Sequence, residues 1–345
     1  MITKNKIAGS LIGSAIGDGF GYPTEFMKPS EMKAKWGEKG LTAPIGDIIQ
    51  VTDDTQMALA VGRALMASWQ NDHLDQKRFE ANLVREFILW LNDPENNRAP
   101  GMTCLTACER LETGLHWTQA TGHNSKGCGA NMRVLPIALM KGKSDQITHE
   151  DIGRWSQFQS AVTHGHPTAL TASELTAMTT VFLLEGVSTK DLLAALQDHC
   201  QSQMDVYHED WLKNVWERPG IYSPEVFINR GWEDCLAILD RVETALVFTD
   251  KIQDPCDLTG EGWIAEEAFG TALLCFLLSP DDPVKTLIQA VNTKGDSDSI
   301  ACLAGSFSGA KNGLDAFPED WVERIEYQSN LDELISFLGG TSLHA

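Results

Sequence analysis

Two short acidic clusters, far apart in the chain, contain the residue types best suited to chemistry. The first spans residues 51–57 and has adjacent carboxylates at Asp53 and Asp54. The second spans residues 292–300, with Asp296 and Asp298 two positions apart. If the fold brings the clusters together, their carboxylate and hydroxyl oxygens would form a cage suited to hard divalent cations such as Mg²⁺ or Mn²⁺. Such a cage is typical of two-metal hydrolytic centres.

Helix capping is the competing interpretation of both clusters. Asp53 followed three residues later by Gln56 resembles a capping box ahead of an apolar helix. Gly295 indicates a tight turn just before the second cluster. A cap needs only one carboxylate, and the adjacent acids Asp53 and Asp54 repel each other. From the residues alone, a solvated helix cap and a metal site both remain open.

The composition excludes several classes of protein. The chain has 345 residues, is 43% hydrophobic and carries a net charge of −21, which argues against nucleic acid or an anionic membrane as partner. The eight cysteines include no CxxC pair, so zinc-knuckle and redox sites are not expected. The longest apolar run, 272–278, is too short to cross a bilayer. We therefore predict a cytoplasmic protein with buried, reduced thiols.

Hydrophobic periodicity predicts an all-α fold. Apolar residues recur at helical spacing through most of the chain, and the patterns expected for strands are essentially missing. Predicted helices include 79–92, 130–140, 168–186, 232–248 and 298–310. Glycines at positions 9, 13 and 17 form one stripe that would let another backbone approach closely. We predict one domain over residues 1–345, with an irregular, Trp-containing insertion at about 201–231.

The order of the motifs resembles the ADP-ribosylglycohydrolase family, which includes the dinitrogenase-reductase-activating glycohydrolases and the ADP-ribosylarginine hydrolases. The resemblance rests on five segments that follow one another in the family order. They are residues 9–18 continuing to Glu25, 52–57, 125–133, 163–167 and 295–299.

The resemblance implies a roughly orthogonal multi-helix bundle with a centre of two Mg²⁺ or Mn²⁺ ions. Carried over motif by motif, it assigns metal ligands, catalytic groups and a binding loop for the diphosphate. The implied metal ligands are Thr52, Asp53, Asp54, Asp296, Asp298 and Ser299. The implied catalytic residues are Glu25, Asp53 and Asp298. The implied ADP-ribose-binding residues are Gly127, Cys128, Gly129, Ala130, Asn131, Met132 and His164.

The glycine-containing loop also has a physical account of its own. Gly127 and Gly129 let backbone N–H groups turn toward one point, and a predicted helix follows from Asn131, which together suit a diphosphate. The loop lacks the third glycine of a dinucleotide fingerprint and the Lys of a P-loop. Arg133 could pack in the helix bundle or bind ligand. Trp263 could stack on adenine or pack against the helix predicted over 264–278.

The function implied is hydrolysis of the bond between ADP-ribose and a modified protein side chain, arginine above all. The loop at 97–103 contains no carboxylate to pair with a guanidinium group, so a serine linkage remains open. One alternative is an immunity protein that neutralises an ADP-ribosylating toxin, by hydrolysis or by direct binding. Another is an inactive structural relative, like some crystallins of this family, although the intact ligand set argues against it.

Overall fold

The computed structural model describes residues 2–248 and 254–339, and it confirms the all-α prediction. Within these residues the only sheet is a two-stranded antiparallel hairpin of β1 (Trp69–Gln70) and β2 (His73–Leu74). The α-helices are α1 (Lys4–Gly21), α2 (Pro29–Trp36), α3 (Asp53–Ser68), α4 (Gln76–Leu91), α5 (Met102–Glu112), α6 (Trp117–Ala120), α7 (Leu135–Leu139), α8 (His149–Ala161), α9 (Pro167–Glu185), α10 (Leu192–Gln203), α11 (Glu209–Leu212), α12 (Pro224–Val247), α13 (Cys256–Thr259), α14 (Ala265–Leu278), α15 (Pro283–Val291), α16 (Ser297–Asn312), α17 (Glu319–Glu323) and α18 (Gln328–Leu338).

The packing of α1 against α16 positions the second acidic cluster. The glycine stripe predicted on α1 faces α16, and a Cβ atom on Gly13 would lie 2.6 Å from the carbonyl oxygen of Gly305. One turn beyond the stripe, a Cβ atom on Gly21 would lie 2.5 Å from the Cα atom of Asp298. Glycine is therefore required here because the two backbones touch. The contact brings the start of α16 beside the end of α1.

Helix α9 forms the centre of the body. It is buried along almost its whole length and packs against α8, α12 and α16. Its threonines remain satisfied because their hydroxyls donate to carbonyls one turn back, as Thr176 does to Ala172 and Thr179 to Leu175, both at 2.8 Å. None of the described helices is long and apolar enough to cross a membrane.

Two predicted helices differ from the structure at their starts. The helix predicted over 130–140 is a single 3₁₀ turn, Cys128–Ala130, followed by the short helix α7. Pro136 explains the break, because proline has no N–H to donate and is tolerated in the first turn of a helix. The helix predicted over 232–248 begins at Pro224, where the side chain of Ser223 caps α12. The region predicted to be irregular therefore contains α11 and the first turns of α12.

Candidate active site

The first acidic cluster is held in place by Asp18, a buried carboxylate near the end of α1 that sequence reasoning treated only as part of a motif. Asp18 accepts hydrogen bonds from the N–H groups of Thr52 and Thr55, both at 3.0 Å, and from both hydroxyls, at 2.8 and 2.5 Å. Thr52 is the N-cap of α3. The capping box predicted from Asp53 and Gln56 is therefore wrong, and Asp53 is left free for another role.

The second acidic cluster is fixed through its main chain. The N–H group of Asp296 donates to the carbonyl oxygen of Glu261 at 2.7 Å, and Asp296 precedes the first residue of α16. Gly295 does not adopt the left-handed conformation, so the need for glycine here does not come from its backbone angles. It is needed because a Cβ atom there would lie 2.7 Å from the Cα atom of Glu261. The two packed segments hold Asp296 in a single position.

The two helix starts open into one cavity of about 400 Å³. One carboxylate oxygen from each of Glu25, Asp296 and Asp298 lies within 4.8 Å of the other two. Thr52 does not line the cavity, because it lies behind Asp53 with its hydroxyl donated to Asp18. The predicted metal-ligand and catalytic residues that line it are Glu25, Asp53, Asp54, Asp296, Asp298 and Ser299.

Burial raises the pKa of every carboxylate in this cluster, and repulsion between like charges raises it further for all of them except Asp298. The pKa of Asp53 is raised to about 8, first by burial and then by the charge of Asp298. The same two causes, in the same order, raise the pKa of Glu25 to about 10 and that of Asp18 to about 7. For Asp54 they raise the pKa well above its ordinary value. So many buried acids are stable as anions only if a cation joins them.

The protein supplies no cationic side chain to this cavity. Among the described residues that line it there is no Lys or Arg, and the pKa of His164 is lowered to about 3 by burial and by the charge of Arg133. The Oδ2 atom of Asp54 is buried without a hydrogen-bond partner. The oxygen donors of the two helix starts, which include a carboxylate oxygen without a partner, fit a hard divalent cation.

The glycine-containing loop forms a second wall of the cavity, but only part of the predicted set faces it. Gly127, Cys128, Gly129 and Met132 line the cavity. Ala130 and Asn131 lie behind this wall. The carbonyl oxygen of Ala130 accepts a bond from Gln159, and the side-chain amide of Asn131 donates to Ala265 at 2.9 Å. The N–H group of Cys128 donates to the carbonyl oxygen of Trp263, so this N–H is already engaged within the protein.

His164 lines the same cavity, and its hydrogen bonds fix its tautomer. Arg133, fully buried, donates to the hydroxyl of Thr163 at 2.7 Å, and this hydroxyl lies 2.8 Å from Nδ1 of His164. Because Arg133 can only donate, the hydroxyl proton points to Nδ1, and the neutral ring carries its own proton on Nε2. Nε2 lies beside Gly127 and Gly129. His164 therefore presents a donor to the loop, and Arg133 has the structural role.

Three exposed apolar side chains surround the mouth of the cavity. Phe26, which follows Glu25, stacks on Trp263 with ring centroids 5.4 Å apart and an angle of 18° between the rings. Phe26 is 67% exposed, and Met102, also at the mouth, is 73% exposed. Trp263 therefore stacks on Phe26, which is distant in sequence. The sequence indicated only adenine or the helix predicted over 264–278 as its partner.

Comparison with known proteins gives consistent matches over the whole length. The model of the ADP-ribosylglycohydrolase family matches residues 1–343. The ADP-ribosyl-[dinitrogen reductase] glycohydrolase of Rhodospirillum rubrum is 25% identical over 346 residues, covering 97% of each chain. The ADP-ribosylarginine hydrolase Tri1 of Serratia proteamaculans is 24% identical over 338 residues, covering 96% of this chain and 78% of its own.

A solved structure agrees in fold. A chain described as an ADP-ribosylglycohydrolase-related protein complex superposes with a TM-score of 0.66 at 21% identity, over 97% of both chains. At this identity the likeness concerns the arrangement of the helices.

Proposed function

Because the chain belongs to the ADP-ribosylglycohydrolase family, we propose that this hydrolase removes ADP-ribose from modified protein side chains at a centre of two Mg²⁺ or Mn²⁺ ions. The observation that carries the proposal is the buried acidic cluster without any cationic side chain. The arginine-modified side chain is the proposed substrate, and the bond broken joins its guanidinium group to the ribose.

Residues at the starts of α3 and α16 would hold the cations. Asp53 and Asp54 would hold cations from α3, and Asp296, Asp298 and Ser299 from α16. The hydroxyl of Thr52 donates to Asp18 and accepts from the N–H group of Asp54 at 3.4 Å, so Thr52 would contribute only through its remaining lone pair. When bound, the cations supply Lewis acidity, orienting ribose hydroxyls and a water molecule and stabilising developing charge.

Glu25 is the proposed group for proton transfer. It lies at the edge of the cluster beside Asp296 and Asp298, and it is less buried than the aspartates. A carboxylate with a raised pKa, in reach of solvent, can exchange a proton with the leaving group and with water. The Nε2–H of His164 would donate to an oxygen of the diphosphate, next to Gly127 and Gly129.

The leaving-group side of the cavity limits which carboxylates could meet the guanidinium group of a modified arginine. Glu95, an acid close to the loop at 97–103, is paired with Arg98 at 2.8 Å, and Arg98 also pairs with Glu326 at 2.6 Å. Asp53 is positioned by the N–H group of Gly101 at 3.3 Å. The carboxylates left to meet a guanidinium group in the cavity are therefore those of the cluster itself, with Glu25 at its edge.

The mouth supports a protein as the carrier of the modification. Phe26, Met102 and Trp263 expose apolar surface around the opening, and exposed apolar patches of this kind suit contacts with another macromolecule. Direct binding of a toxin stays a prediction. Within the insertion at 201–231, Trp211 is not available for such a contact, because it is 6% exposed and packs on Phe79 and Phe158.

The testing experiment measures release of ADP-ribose from an arginine-modified protein and from a serine-modified protein, with Mg²⁺, with Mn²⁺ and with EDTA. We expect metal-dependent release from the arginine-modified protein. Preferential release from the serine-modified protein would correct the linkage. Release from neither substrate, or full release with EDTA, would overturn the proposal.

A further inference from the structure

Cys128 differs from the seven other cysteines of this chain in both exposure and surroundings. The other seven are buried, whereas Cys128 is partly exposed and lines the acidic cavity. Its Sγ atom lies 2.8 Å from Oδ2 of Asp296 and 3.8 Å from the hydroxyl oxygen of Ser299. A sulfur atom thus stands beside two of the oxygen ligands proposed for the α16 side.

The backbone fixes Cys128 in this position. Its N–H group donates to Trp263, and its carbonyl oxygen accepts bonds from the N–H groups of Asn131 and Met132 at 2.7 and 3.2 Å. Met132 also faces the cavity, and its Sδ atom lies 4.0 Å from the hydroxyl oxygen of Ser299. Two sulfur atoms therefore lie on one side of the cluster, while the α3 side contributes oxygens alone.

An unpartnered carboxylate oxygen in the same cavity also points to a bound ligand. Asp54, on the facing helix start, is 2% exposed, and its Oδ2 atom has no hydrogen-bond partner. A buried carboxylate oxygen without a donor is rare in folded proteins and marks a place where a cation belongs. The cavity thus offers oxygen donors from both helix starts and a thiol between them.

We propose that the Sγ atom of Cys128 is a metal ligand on the α16 side, so that this site also binds thiophilic divalent ions such as Zn²⁺, Co²⁺ and Cd²⁺. The inference rests on the metal centre of the proposed function. Thiolate sulfur favours such ions, whereas Mg²⁺ prefers oxygen alone. On binding, the S–H bond breaks, a metal–sulfur bond forms, and the proton passes to the solvent.

The separation of the donor atoms is compatible with one shared ion. Sulfur and oxygen ligands of a tetrahedral Zn²⁺ lie about 3.5 Å apart, as follows from bonds of about 2.3 and 2.0 Å at the tetrahedral angle. The thiol of Cys128 and the carboxylate of Asp296 already lie at 2.8 Å. A small rotation of either side chain brings them to the required separation.

The test is a titration of the whole protein with Co²⁺ and with Cd²⁺, followed by the ultraviolet absorption that arises from charge transfer between sulfur and metal. We expect the band in the wild-type protein and its loss in Cys128→Ser. The affinity for Cd²⁺ should fall about 10- to 100-fold in this variant, while the affinity for Mg²⁺ should change by less than about twofold, because Mg²⁺ takes oxygen ligands.

Cys104→Ser is the matched control. Cys104 lines the same cavity, but its Sγ atom lies 3.6 Å from the guanidinium group of Arg133 and so faces a cation. This variant should keep the band.

The outcomes separate the inference from the proposed function. Normal Mn²⁺ binding without a sulfur band in the wild-type protein would overturn the role of Cys128 and leave the metal centre intact. A band that persists in Cys128→Ser would also overturn it. Failure of the wild-type protein to bind any divalent ion would overturn both. Absence of the band in the wild-type protein overturns the role of Cys128 even if Cys128→Ser fails to fold.

Discussion

Two regions of this molecule bury carboxylates, and the pKa values of these groups shift in opposite directions in the two regions. In the core, Glu174 of α9 is 1% exposed and accepts hydrogen bonds from Gln157 at 2.6 Å and from His199 at 2.9 Å. Burial acts to raise its pKa, but these partners hold it below its ordinary value. At the cavity, burial and like charges raise the pKa of Asp53 and Asp54, and burial raises the pKa of Asp298.

The difference separates a structural acid from the carboxylates of the proposed metal site. The fold gives a partner to a carboxylate that only has to be stable, as it also does for Glu86 with Arg63 at 2.7 Å. Where the partner has to be a ligand, the fold leaves the carboxylates together and unpaired. The cavity is therefore expected to cost stability unless a cation binds, whereas the contribution of Glu174 at neutral pH needs no bound ion.

The largest expected effect is on activity when the cluster loses a carboxylate. Asp298→Asn should lower the rate of ADP-ribose release by at least about 10²–10³-fold, because it removes a group that holds and balances charge at the reacting centre. In EDTA its free energy of unfolding, measured with urea, should equal or exceed that of the wild type, since a repulsive charge is gone. Asp53→Asn should behave alike.

Asp282→Asn is the control for this prediction. Asp282 also begins a helix, where it caps α15 by accepting a bond from the N–H group of Lys285 at 3.0 Å. Asparagine caps equally well, so activity and stability should stay as in the wild type. Wild-type activity in Asp298→Asn would contradict the functional role given to the carboxylates of the cavity.

The second largest effect is expected in the core, where a substitution should lower stability but not activity. Glu174→Gln should lower the free energy of unfolding by about 1–3 kcal/mol, because a buried charge-assisted hydrogen bond is lost. The rate of ADP-ribose release per folded molecule should remain that of the wild type. Glu185→Gln, near the surface at the end of the same helix, should cost less than about 1 kcal/mol. Equal costs for both variants would contradict the role given to Glu174.

The third effect concerns pH in the absence of metal. A group whose pKa is raised on folding contributes stability that is complete below its unfolded pKa and is lost as pH rises through its folded pKa. The pKa of Asp53 is raised to about 8 and that of Asp18 to about 7. In EDTA the free energy of unfolding should therefore fall as pH rises from about 4 to about 8.

Glu174 has the reverse sign, since its pKa is lowered on folding. Its contribution is present above the unfolded pKa and disappears as pH falls through the folded pKa. Saturating Mn²⁺ should remove the decline toward pH 8 without affecting the acid side. A metal-free protein with constant stability between pH 4 and pH 8 would speak against the repulsive cluster.

The smallest expected effect lies at the mouth, where the polar interior meets apolar side chains. Phe26→Ser should raise the KM for an ADP-ribosylated protein about fivefold, since an aromatic contact contributes about 1 kcal/mol. Tyr222→Ser, which alters a residue that is 87% exposed, should leave the KM unchanged. Measuring kcat and KM on the modified protein and on ADP-ribosylarginine separates contacts with the carrier protein from contacts with ADP-ribose. An equal rise for both substrates would place Phe26 in ADP-ribose binding instead.

The sequence predicted the two halves of the site but not how they are joined. Residue types and helical spacing identify the acidic clusters, and the glycine stripe on α1 predicts close contact with another backbone, which the structure shows to be that of α16. The role of Asp18 depends on a bond to Thr52 across the fold, and no local pattern reports it. The same holds for the stacking of Phe26 on Trp263. The helix predicted at 130–140 failed because periodicity alone ignored Pro136.

The most direct test of the central claim is the number of Mn²⁺ ions bound per chain, measured by equilibrium dialysis of the wild type, Asp298→Asn and Glu174→Gln. We predict two ions for the wild type and for Glu174→Gln, and loss of at least one in Asp298→Asn. No bound Mn²⁺ in the wild type, or wild-type binding in Asp298→Asn, would contradict the assignment of the acidic cluster as a binuclear metal centre.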